Sequence, residues 1–235
     1  MRILVTGASS GVGLQTVEQL VADGHEVLLH ARSPERSDCL PVARECAAVL
    51  HADLADESAV RRLASQLGDH GPVDAAIHNA GVYDGPDLAA VNVLAPYLLT
   101  TLGPLPRRWI CLSSSMHRSG VASTRLDGIS YSTSKLLVTT LAMTLARRYP
   151  EMSCHAVDPG WVPTRMGGPG APDSLAEAHL TQCWLATAPL DRITPPTGGY
   201  WHHLVASAPV GVCLDAGFQE ELVASLESRT GVALP

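Results

Sequence analysis

The feature that most constrains the fold is a regular alternation of short apolar runs with segments of helical periodicity. The first 30 residues already show it: a β-branched run lies at 3–5, apolar residues recur at helical spacing from Val12 to Val21, and a second apolar run lies at 26–30. A strand, a helix and a strand joined in this way form a right-handed crossover between parallel strands. The alternation therefore predicts a parallel sheet.

The same alternation continues along two thirds of the chain. The strands are almost continuously apolar, as expected where helices cover both faces of a sheet. We therefore predict the α/β class: a doubly wound, Rossmann-like parallel sheet in three α/β/α layers. Further strands are predicted at 48–51, 73–78, 109–112 and 152–157, and further helices at 56–67, 88–102 and 131–149. The Gly/Pro-rich stretch at 166–172 is predicted to be a mobile loop over the ligand-binding site, which in such folds lies at the carboxyl ends of the strands.

Length and composition fit one domain over 1–235. The chain has 235 residues, 46% of them hydrophobic and 17% charged, which is enough for a sizeable core. A net charge of −7 without a basic run argues against a nucleic-acid partner. No apolar run reaches the ~18 residues of a membrane span, and the first strand begins too early for a secretory leader. The six scattered cysteines lack metal-ligand spacing, so we expect reduced thiols, no metal site and a cytoplasmic location.

A glycine-rich turn joins the first strand to the first helix. Residues 6–13 read Thr-Gly-Ala-Ser-Ser-Gly-Val-Gly. Glycines let the backbone turn sharply and approach a pyrophosphate, and the helix N-terminus supplies free N–H donors. The alternative is a plain strand–helix turn, which the strand before and the helix after make the weaker reading. The predicted dinucleotide contacts here are Gly7, Ser9, Ser10, Gly11, Val12 and Gly13.

The end of the second strand bears on the choice of cofactor. It reads His30-Ala31-Arg32, with no acidic residue before Glu35. An acidic residue there would bind the adenosine ribose hydroxyls, whereas an arginine suits a 2′-phosphate. Arg32 therefore favours NADP(H) over NAD(H), and Arg36 is a second candidate for the same phosphate. The alternative is that Arg32 is a solvated surface arginine.

A tyrosine and a lysine are spaced by one helical turn at the start of a long helix. Tyr131 and Lys135 are at positions i and i+4, so they share a helix face. A nearby ammonium stabilises a phenolate and is expected to lower the pKa of the phenol towards the working pH. Such a phenol can exchange a proton with a carbonyl or alcohol oxygen. By itself, such a pair is common, and two surface residues would be the better interpretation of the bare pattern.

The pair occurs together with six other segments in a fixed order. The segments are Thr6-Gly7-x-x-x-Gly11-x-Gly13, Asp53-Leu54, Asn79-Ala80-Gly81, Asn92, Ser113-Ser114-Ser115, Tyr131-x-x-x-Lys135 and Pro159-Gly160. This order resembles the short-chain dehydrogenase/reductase family over nearly the whole chain. The length and the glycine spacing resemble its compact single-domain type. Segments 112–117 and 218–222 resemble the retinol-dehydrogenase-like and carbonyl-reductase members.

The resemblance implies a role for each matched residue. Tyr131 would be the general acid/base, and Lys135 would lower its pKa and bind the nicotinamide ribose. Ser114 would bind the substrate oxygen, with Ser115 as the fallback, and Asn92 would complete a proton relay near Lys135. The implied cofactor contacts are Asp53 and Leu54 at the adenine, Asn79, Ala80 and Gly81 at the adenosine ribose, and Pro159, Gly160, Val162 and Thr164 at the nicotinamide and phosphates.

These observations predict an NADP(H)-dependent oxidoreductase. It would transfer a hydride between nicotinamide and a small carbonyl or alcohol substrate that is neutral and fairly apolar, with Tyr131 as general acid/base. The alternative is a non-catalytic, dinucleotide-sensing regulatory protein on the same fold. The resemblance allows a homodimer or homotetramer, and no membrane partner is expected.

Overall fold

The computed structural model describes residues 1–234, which form one eight-stranded sheet with helices on both faces. The spatial order of the strands is β3-β2-β1-β4-β5-β6-β7-β8. The strands are β1 (Arg2–Val5), β2 (Glu26–Ala31), β3 (Ala48–His51), β4 (Ala75–His78), β5 (Arg108–Leu112), β6 (Ser153–Asp158), β7 (Gly199–His202) and β8 (Val205–Ser207). The helices are α1 (Gly11–Ala22), α2 (Pro34–Ser37), α3 (Glu57–Asp69), α4 (Ala95–Leu102), α5 (Tyr131–Arg148), α6 (Leu180–Thr187) and α7 (Ala216–Thr230). The predicted doubly wound α/β class is confirmed.

The sheet places its ligand-binding edge between β1 and β4. Strand β1 pairs in parallel with β2 on one side and with β4 on the other, so the strand order reverses there. Ligands of open α/β sheets bind at such a reversal, beyond the carboxyl ends of the strands. The glycine-rich turn follows β1, and Asn79 follows β4, so both predicted cofactor segments lie at this edge.

The last strand departs from the parallel arrangement. Strand β8 pairs antiparallel with β7, through a tight turn in which His203 and Leu204 have φ values of 46° and 64°. Positive φ at both central residues is typical of the turn that best matches strand twist. The sequence did not predict β7 or β8, because Gly199-Tyr200-Trp201-His202 contains no aliphatic run.

The core lies on both faces of the sheet. Helices α1 and α6 cover one face, where Val17, Leu20 and Leu185 are fully buried with Ile3 and Val5 of β1. The other face is covered by α3, α4, α5 and α7. Burial on both faces explains why the central strands read as apolar runs without alternation.

The predicted helix at 88–102 is interrupted by a wider turn. Residues Ala90–Leu94 form a π-helical turn, and α4 begins only at Ala95. Pro96 contributes to this irregularity because it lacks the N–H that an α-helix would donate to the carbonyl of Asn92. Turns of this kind occur frequently at functional sites, and this one contains Asn92.

The C-terminal segment, residues 211–234, covers the helices α4 and α5. Arg147 of α5 donates to Gln219 of α7 at 2.6 Å and forms an ion pair with Glu220. The hydroxyl of Tyr97 in α4 donates to the carbonyl of Val232 at 2.6 Å. Every residue from 133 to 146 of α5 is buried within this single chain.

Candidate active site

The glycine-rich turn is packed too closely for side chains. Gly7 has φ +64°, and a Cβ at that position would lie 2.7 Å from the Cα of Ala80. A Cβ on Gly13 would lie 2.3 Å from Nδ2 of Asn79. Helix α1 begins at Gly11, and its first turn contains no acidic residue. The turn and the free N–H groups of this helix end therefore suit a diphosphate.

Asn79 holds the glycine-rich turn against β4. Its Nδ2 donates to the carbonyls of Thr6 and Gly7 at 2.9 and 3.1 Å. The N–H of Ala80 donates to the Oγ1 of Thr6 at 3.1 Å. Both amide hydrogens of Asn79 are thus used within the protein, so its predicted contact with the adenosine ribose would have to involve Oδ1 or the main chain.

The predicted adenine and 2′-phosphate residues follow the neighbouring strands β2 and β3. Arg32 is exposed directly after β2, and Asp53 is exposed shortly after β3. Oδ1 of Asp53 accepts the N–H of Ala55 at 3.0 Å. The side chain of Leu54 is buried in the core, so only its main chain can border a cofactor. An exposed guanidinium at this edge suits a phosphate.

The structure distinguishes the three adjacent serines. Ser113 is buried, and its Oγ lies 2.6 Å from the Oγ1 of Thr139. Ser115 is exposed. Ser114 lies between them, caps a short 3₁₀ helix by accepting the N–H of Met116 at 3.2 Å, and has a side chain close enough to Tyr131 to lower the pKa of the phenol. Ser114 is thus the serine that meets the tyrosine.

The pKa of Tyr131 moves in the direction opposite to the prediction. The sequence predicts that Lys135 lowers it, but burial raises the pKa of Tyr131 to about 12. The side chain of Ser114 lowers this pKa and the nearby carboxylate of Asp158 raises it, both less strongly than burial. In the protein chain itself the phenol therefore retains its proton at neutral pH.

Lys135 is positioned by the end of β5. Its Nζ donates to the carbonyl of Leu112 at 2.7 Å, and the residue is only 4% exposed. Burial lowers the pKa of Lys135 to about 8, while Asp158 acts in the opposite direction. The ammonium is therefore still mostly protonated at pH 7, and it faces a carbonyl rather than the phenol.

Asn92 connects the turn after β4 to α5. Its Oδ1 accepts the N–H of Val82 at 2.9 Å, and its Nδ2 donates to the carbonyl of Val82 and to the Oγ of Ser134, each at 2.9 Å. A Cβ placed on Gly81 would lie 3.4 Å from both the Oδ1 of Asn92 and the Nζ of Lys135. Asn92 and Lys135 thus border the same small space, and both hydrogens of the Asn92 amide are used elsewhere. The relay through these two residues stays a prediction.

The loop after β6 lies across the crevice. A Cβ on Gly11 would be 3.1 Å from the Cγ2 of Thr164, so Thr164 lies against the glycine-rich turn. The Cε of Met166 approaches the same space beside Gly81 that Lys135 borders. Trp161 and Asp173 close the base of this loop, because the N–H of Trp161 donates to Oδ2 of Asp173 at 2.6 Å.

The remaining predicted residues of this loop also lie at the edge of the site. Pro159 and Gly160 follow β6 directly and are half-buried, and Val162 is buried. Their predicted contacts with nicotinamide require a main chain that faces the crevice, which their position after a central strand allows.

Sequence reasoning missed Asp158, the last residue of β6. It is 7% exposed, its Oδ1 accepts the N–H of Gly160 at 3.0 Å, and its Oδ2 accepts the hydroxyl of Tyr200 at 3.2 Å. A carboxylate at the carboxyl end of a fully buried strand was the signal that could have identified it. Its charge acts on both Tyr131 and Lys135.

The entrance beside Tyr131 is largely apolar. The ring of Tyr83 lies 4.9 Å from the ring of Tyr131, centroid to centroid, and Tyr83 is 52% exposed. Met116, whose N–H bonds to Ser114, and Met166 are also exposed. Apolar side chains that remain exposed next to a half-buried polar pair, here Ser114 and Tyr131, are typical of a small-molecule pocket.

The fold and this site define a class: a dinucleotide-binding oxidoreductase of the Rossmann type. The comparisons with known proteins agree. A family model described as short chain dehydrogenase matches residues 1–96. The short-chain dehydrogenase chyC of Penicillium rubens is 36% identical over 264 residues, covering 100% of this chain and 99% of its own.

Two further proteins are similar. Human retinol dehydrogenase 13 is 29% identical over 202 residues, covering 70% of this chain and 60% of its own. The NADPH-bound carbonyl reductase from chicken fatty liver superposes with a TM-score of 0.71 at 21% identity, covering 88% of this chain and 98% of its own. The chain belongs to the short-chain dehydrogenase/reductase family, and the resemblance drawn from its motifs is confirmed.

Residues 1–234 contain neither a membrane-spanning helix nor a cluster of metal ligands. None of the helices there is long and apolar enough to cross a bilayer. Over the same residues, no three His, Cys, Asp or Glu side chains are grouped so that they could hold a metal ion.

Proposed function

We propose that this protein is an NADP(H)-dependent oxidoreductase that interconverts a carbonyl compound and its alcohol, with Tyr131 as general acid/base. The observation that carries the proposal is the meeting of Ser114 and Tyr131 beside Lys135 at the carboxyl edge of the sheet. Membership of an oxidoreductase family makes this the better reading than a non-catalytic sensor of dinucleotides.

The cofactor would be held along the edge formed by β1, β2 and β4. The N–H groups at the start of α1 and the turn around Gly11 would bind the diphosphate. Arg32 would bind the 2′-phosphate, and Lys135 the nicotinamide ribose. Val162 and Thr164 in the loop after β6 would border the nicotinamide.

The preference for NADP(H) is part of the proposal. It is supported by the exposed guanidinium of Arg32 after β2, where no acidic residue is present to bind free ribose hydroxyls. NADPH is also the cofactor held by the structurally similar carbonyl reductase from chicken liver.

Side chains of the protein would bind and protonate the oxygen of the substrate. When bound, the nicotinamide supplies the hydride that attacks the carbonyl carbon. Ser114 would donate a hydrogen bond to the carbonyl oxygen, and Tyr131 would transfer its proton to that oxygen as it becomes negative. A phenol with a pKa near 12 retains its proton at neutral pH, which suits the acid role in carbonyl reduction.

The phenolate left behind needs a cation and a new proton. Lys135 is the buried ammonium closest to the phenol, with its Nζ 5.5 Å from the centroid of the Tyr131 ring. Asn92 borders the same space, and its main-chain carbonyl is the acceptor that Pro96 leaves without an α-helical donor. A relay from Tyr131 through Lys135 to Asn92 would therefore use an oxygen of Asn92.

The substrate would be neutral and mainly apolar. The ring of Tyr83 packs against the phenol, and the exposed side chains of Met116 and Met166 lie beside Ser114 and Gly81. The carboxylate of Asp158 acts on Tyr131 and Lys135, and it would repel an anionic substrate from the same space.

A cytoplasmic location is part of the same proposal and is supported by six cysteines with free thiols.

The test is a panel of carbonyl compounds followed by NADPH absorbance. Neutral aryl and alkyl ketones and aldehydes would be compared with keto acids of similar size, each with NADPH and with NADH. We expect turnover of neutral compounds with NADPH, weaker turnover with NADH, and little turnover of keto acids. No oxidation of either cofactor across the panel would contradict the proposal.

A further inference from the structure

His30 links the segments that would hold the adenosine half of the cofactor. It lies in β2, two residues before Arg32, and is only 2% exposed. Its Nδ1 accepts the N–H of Gly7 at 3.1 Å, and its Nε2 lies 3.0 Å from the carbonyl of Ala52, directly before Asp53. One imidazole thus joins the glycine-rich turn after β1 to the turn after β3.

The two hydrogen bonds determine the tautomer. The carbonyl of Ala52 can only accept, so Nε2 must carry the hydrogen, and Nδ1 is left as the acceptor for Gly7. Burial lowers the pKa of His30 to about 4, so the ring is neutral throughout the physiological range. A protonated ring would have a donor facing the N–H of Gly7.

The main chain of His30 supports the same turn. Its carbonyl accepts the N–H of Ala8 at 2.9 Å. Two successive N–H groups, those of Gly7 and Ala8, are therefore directed at β2, while Asn79 binds the carbonyls of Thr6 and Gly7 from the opposite side. The turn is fixed from both sides before any ligand arrives, and a fixed turn binds without a further entropy cost.

We propose that His30 is a positioning residue for the cofactor: its neutral imidazole holds the glycine-rich turn and the turn at Ala52–Asp53 in the geometry that a dinucleotide requires. The inference rests on the proposed cofactor site. It concerns affinity for the cofactor and not the proton chemistry, because His30 has no hydrogen bond to Ser114, Tyr131 or Lys135 within residues 1–234.

Asparagine and glutamine at position 30 can test the two hydrogen bonds of His30 one at a time. In His30→Asn the Oδ1 takes the place of Nδ1 and can still accept from Gly7, but it cannot reach Ala52. In His30→Gln the Nε2 takes the place of the ring Nε2 and can donate to Ala52, but it offers Gly7 no acceptor. His30→Leu removes both bonds.

His155 provides a matched control. It is fully buried, and both of its ring nitrogens are hydrogen-bonded, to Ser153 on one side and to Gly199 and Trp201 on the other. It lies in β6 away from the glycine-rich turn. His155→Leu therefore disturbs the core to a similar degree without touching the cofactor segments.

The experiment measures the Kd for NADP⁺ by calorimetry, together with KM for NADPH and kcat, in all variants. We expect His30→Leu to weaken NADP⁺ binding about tenfold, as for a lost buried hydrogen bond, with a rise in KM and a much smaller change in kcat. His30→Asn should recover most of the affinity, and His30→Gln less. His155→Leu should bind as the wild type does.

Several outcomes would overturn the inference. Wild-type affinity in His30→Leu would do so, as would an equal loss in His155→Leu. If His30→Leu does not fold, the comparison of the two amides decides, and binding by His30→Gln as tight as by His30→Asn would overturn it. A wild-type protein that binds neither NADP⁺ nor NAD⁺ would overturn the proposed cofactor as well, which distinguishes the two failures.

Discussion

The Nζ of Lys135 lies 5.5 Å from the centroid of the Tyr131 ring, and it donates its hydrogen bond to the carbonyl of Leu112. The lysine therefore lies next to the phenol, but its charge does not offset the rise in the pKa of Tyr131 that burial causes. The phenol keeps its proton, and of the two groups the lysine, with a pKa near 8, is the one that titrates closer to neutral pH.

This relationship predicts how carbonyl reduction depends on pH. Burial lowers the pKa of Lys135 from 10.5 to about 8, so the lysine is protonated below pH 8 and loses its charge above it. Because reduction leaves a phenolate that needs the cation, we expect kcat/KM to be level from pH 6 to 7.5 and to fall by about tenfold per pH unit above 8. Lys135→Arg, if active, should remove the alkaline fall, since arginine keeps its charge.

The pH profile has a simple control. Enzyme held at pH 9 and returned to pH 7 should recover its full rate, which shows that the fall is a titration and not unfolding. A rate that continues to rise through pH 9 in the wild type would contradict the assignment of the cation.

We expect the cofactor preference to depend on Arg32. Replacing it by Asp removes a charged hydrogen bond to a 2′-phosphate and adds a repulsive carboxylate. We expect kcat/KM for NADPH to fall by about 10–100-fold and that for NADH to rise. Arg36→Asp, four residues further on, should have a smaller effect. Equal affinity of the wild type for the two cofactors, measured by titration, would contradict the predicted preference for NADPH.

Replacing His78 by an apolar residue is expected to stabilise the protein. It is buried at the end of β4 against Trp109, at 4.8 Å between ring centroids, and neither ring nitrogen has a hydrogen-bond partner within residues 1–234. An unsatisfied buried polar group costs about 1–3 kcal/mol. His78→Leu should therefore raise the free energy of unfolding at pH 7 by a similar amount, measured by urea denaturation.

The same substitution should change the dependence of stability on pH. Burial lowers the pKa of His78 to about 3, so the folded protein keeps the ring neutral while the unfolded chain binds a proton below about pH 6.5. Stability is therefore lost as the pH falls from 6.5 towards 3, by about 1.4 kcal/mol per unit for this residue. His78→Leu should reduce that slope. An unchanged slope would be the contrary result.

The C-terminal segment bears on assembly. The sequence resemblance allows a homodimer or homotetramer, but residues 211–234 cover α4 and α5 within one chain. With these helices covered, we expect a monomer at micromolar concentration, measured by light scattering after gel filtration. A stable dimer under those conditions would show that another surface forms the interface.

The sequence was most informative where local signals and topology coincide. The turn at Gly7–Gly13 could be predicted because glycines, a preceding apolar run and a following helical period all agree. The positions of Ser114 and Tyr131 followed from motif order. Strands β7 and β8 could not be predicted in the same way, because aromatic and polar residues replace the aliphatic run there.

The features of the site that the sequence did not predict correctly have a common cause. Spacing along a helix brings Lys135 to the same face as Tyr131, but it does not say where the Nζ points or how deeply the phenol is buried, so the direction of the pKa shift was wrong. His30 and Asp158 are polar residues at or near the carboxyl ends of buried strands. Their importance depends on neighbours from other strands, which no local pattern contains.

The most direct test of the account is Tyr131→Phe, measured on a ketone that the wild type reduces with NADPH. We expect cofactor affinity to be retained and turnover to fall by at least the ~10²–10⁴-fold that a lost general acid costs. Ser114→Ala, which keeps the phenol, should lose less. Full turnover by Tyr131→Phe on the same substrate would contradict the central claim that this phenol supplies the proton.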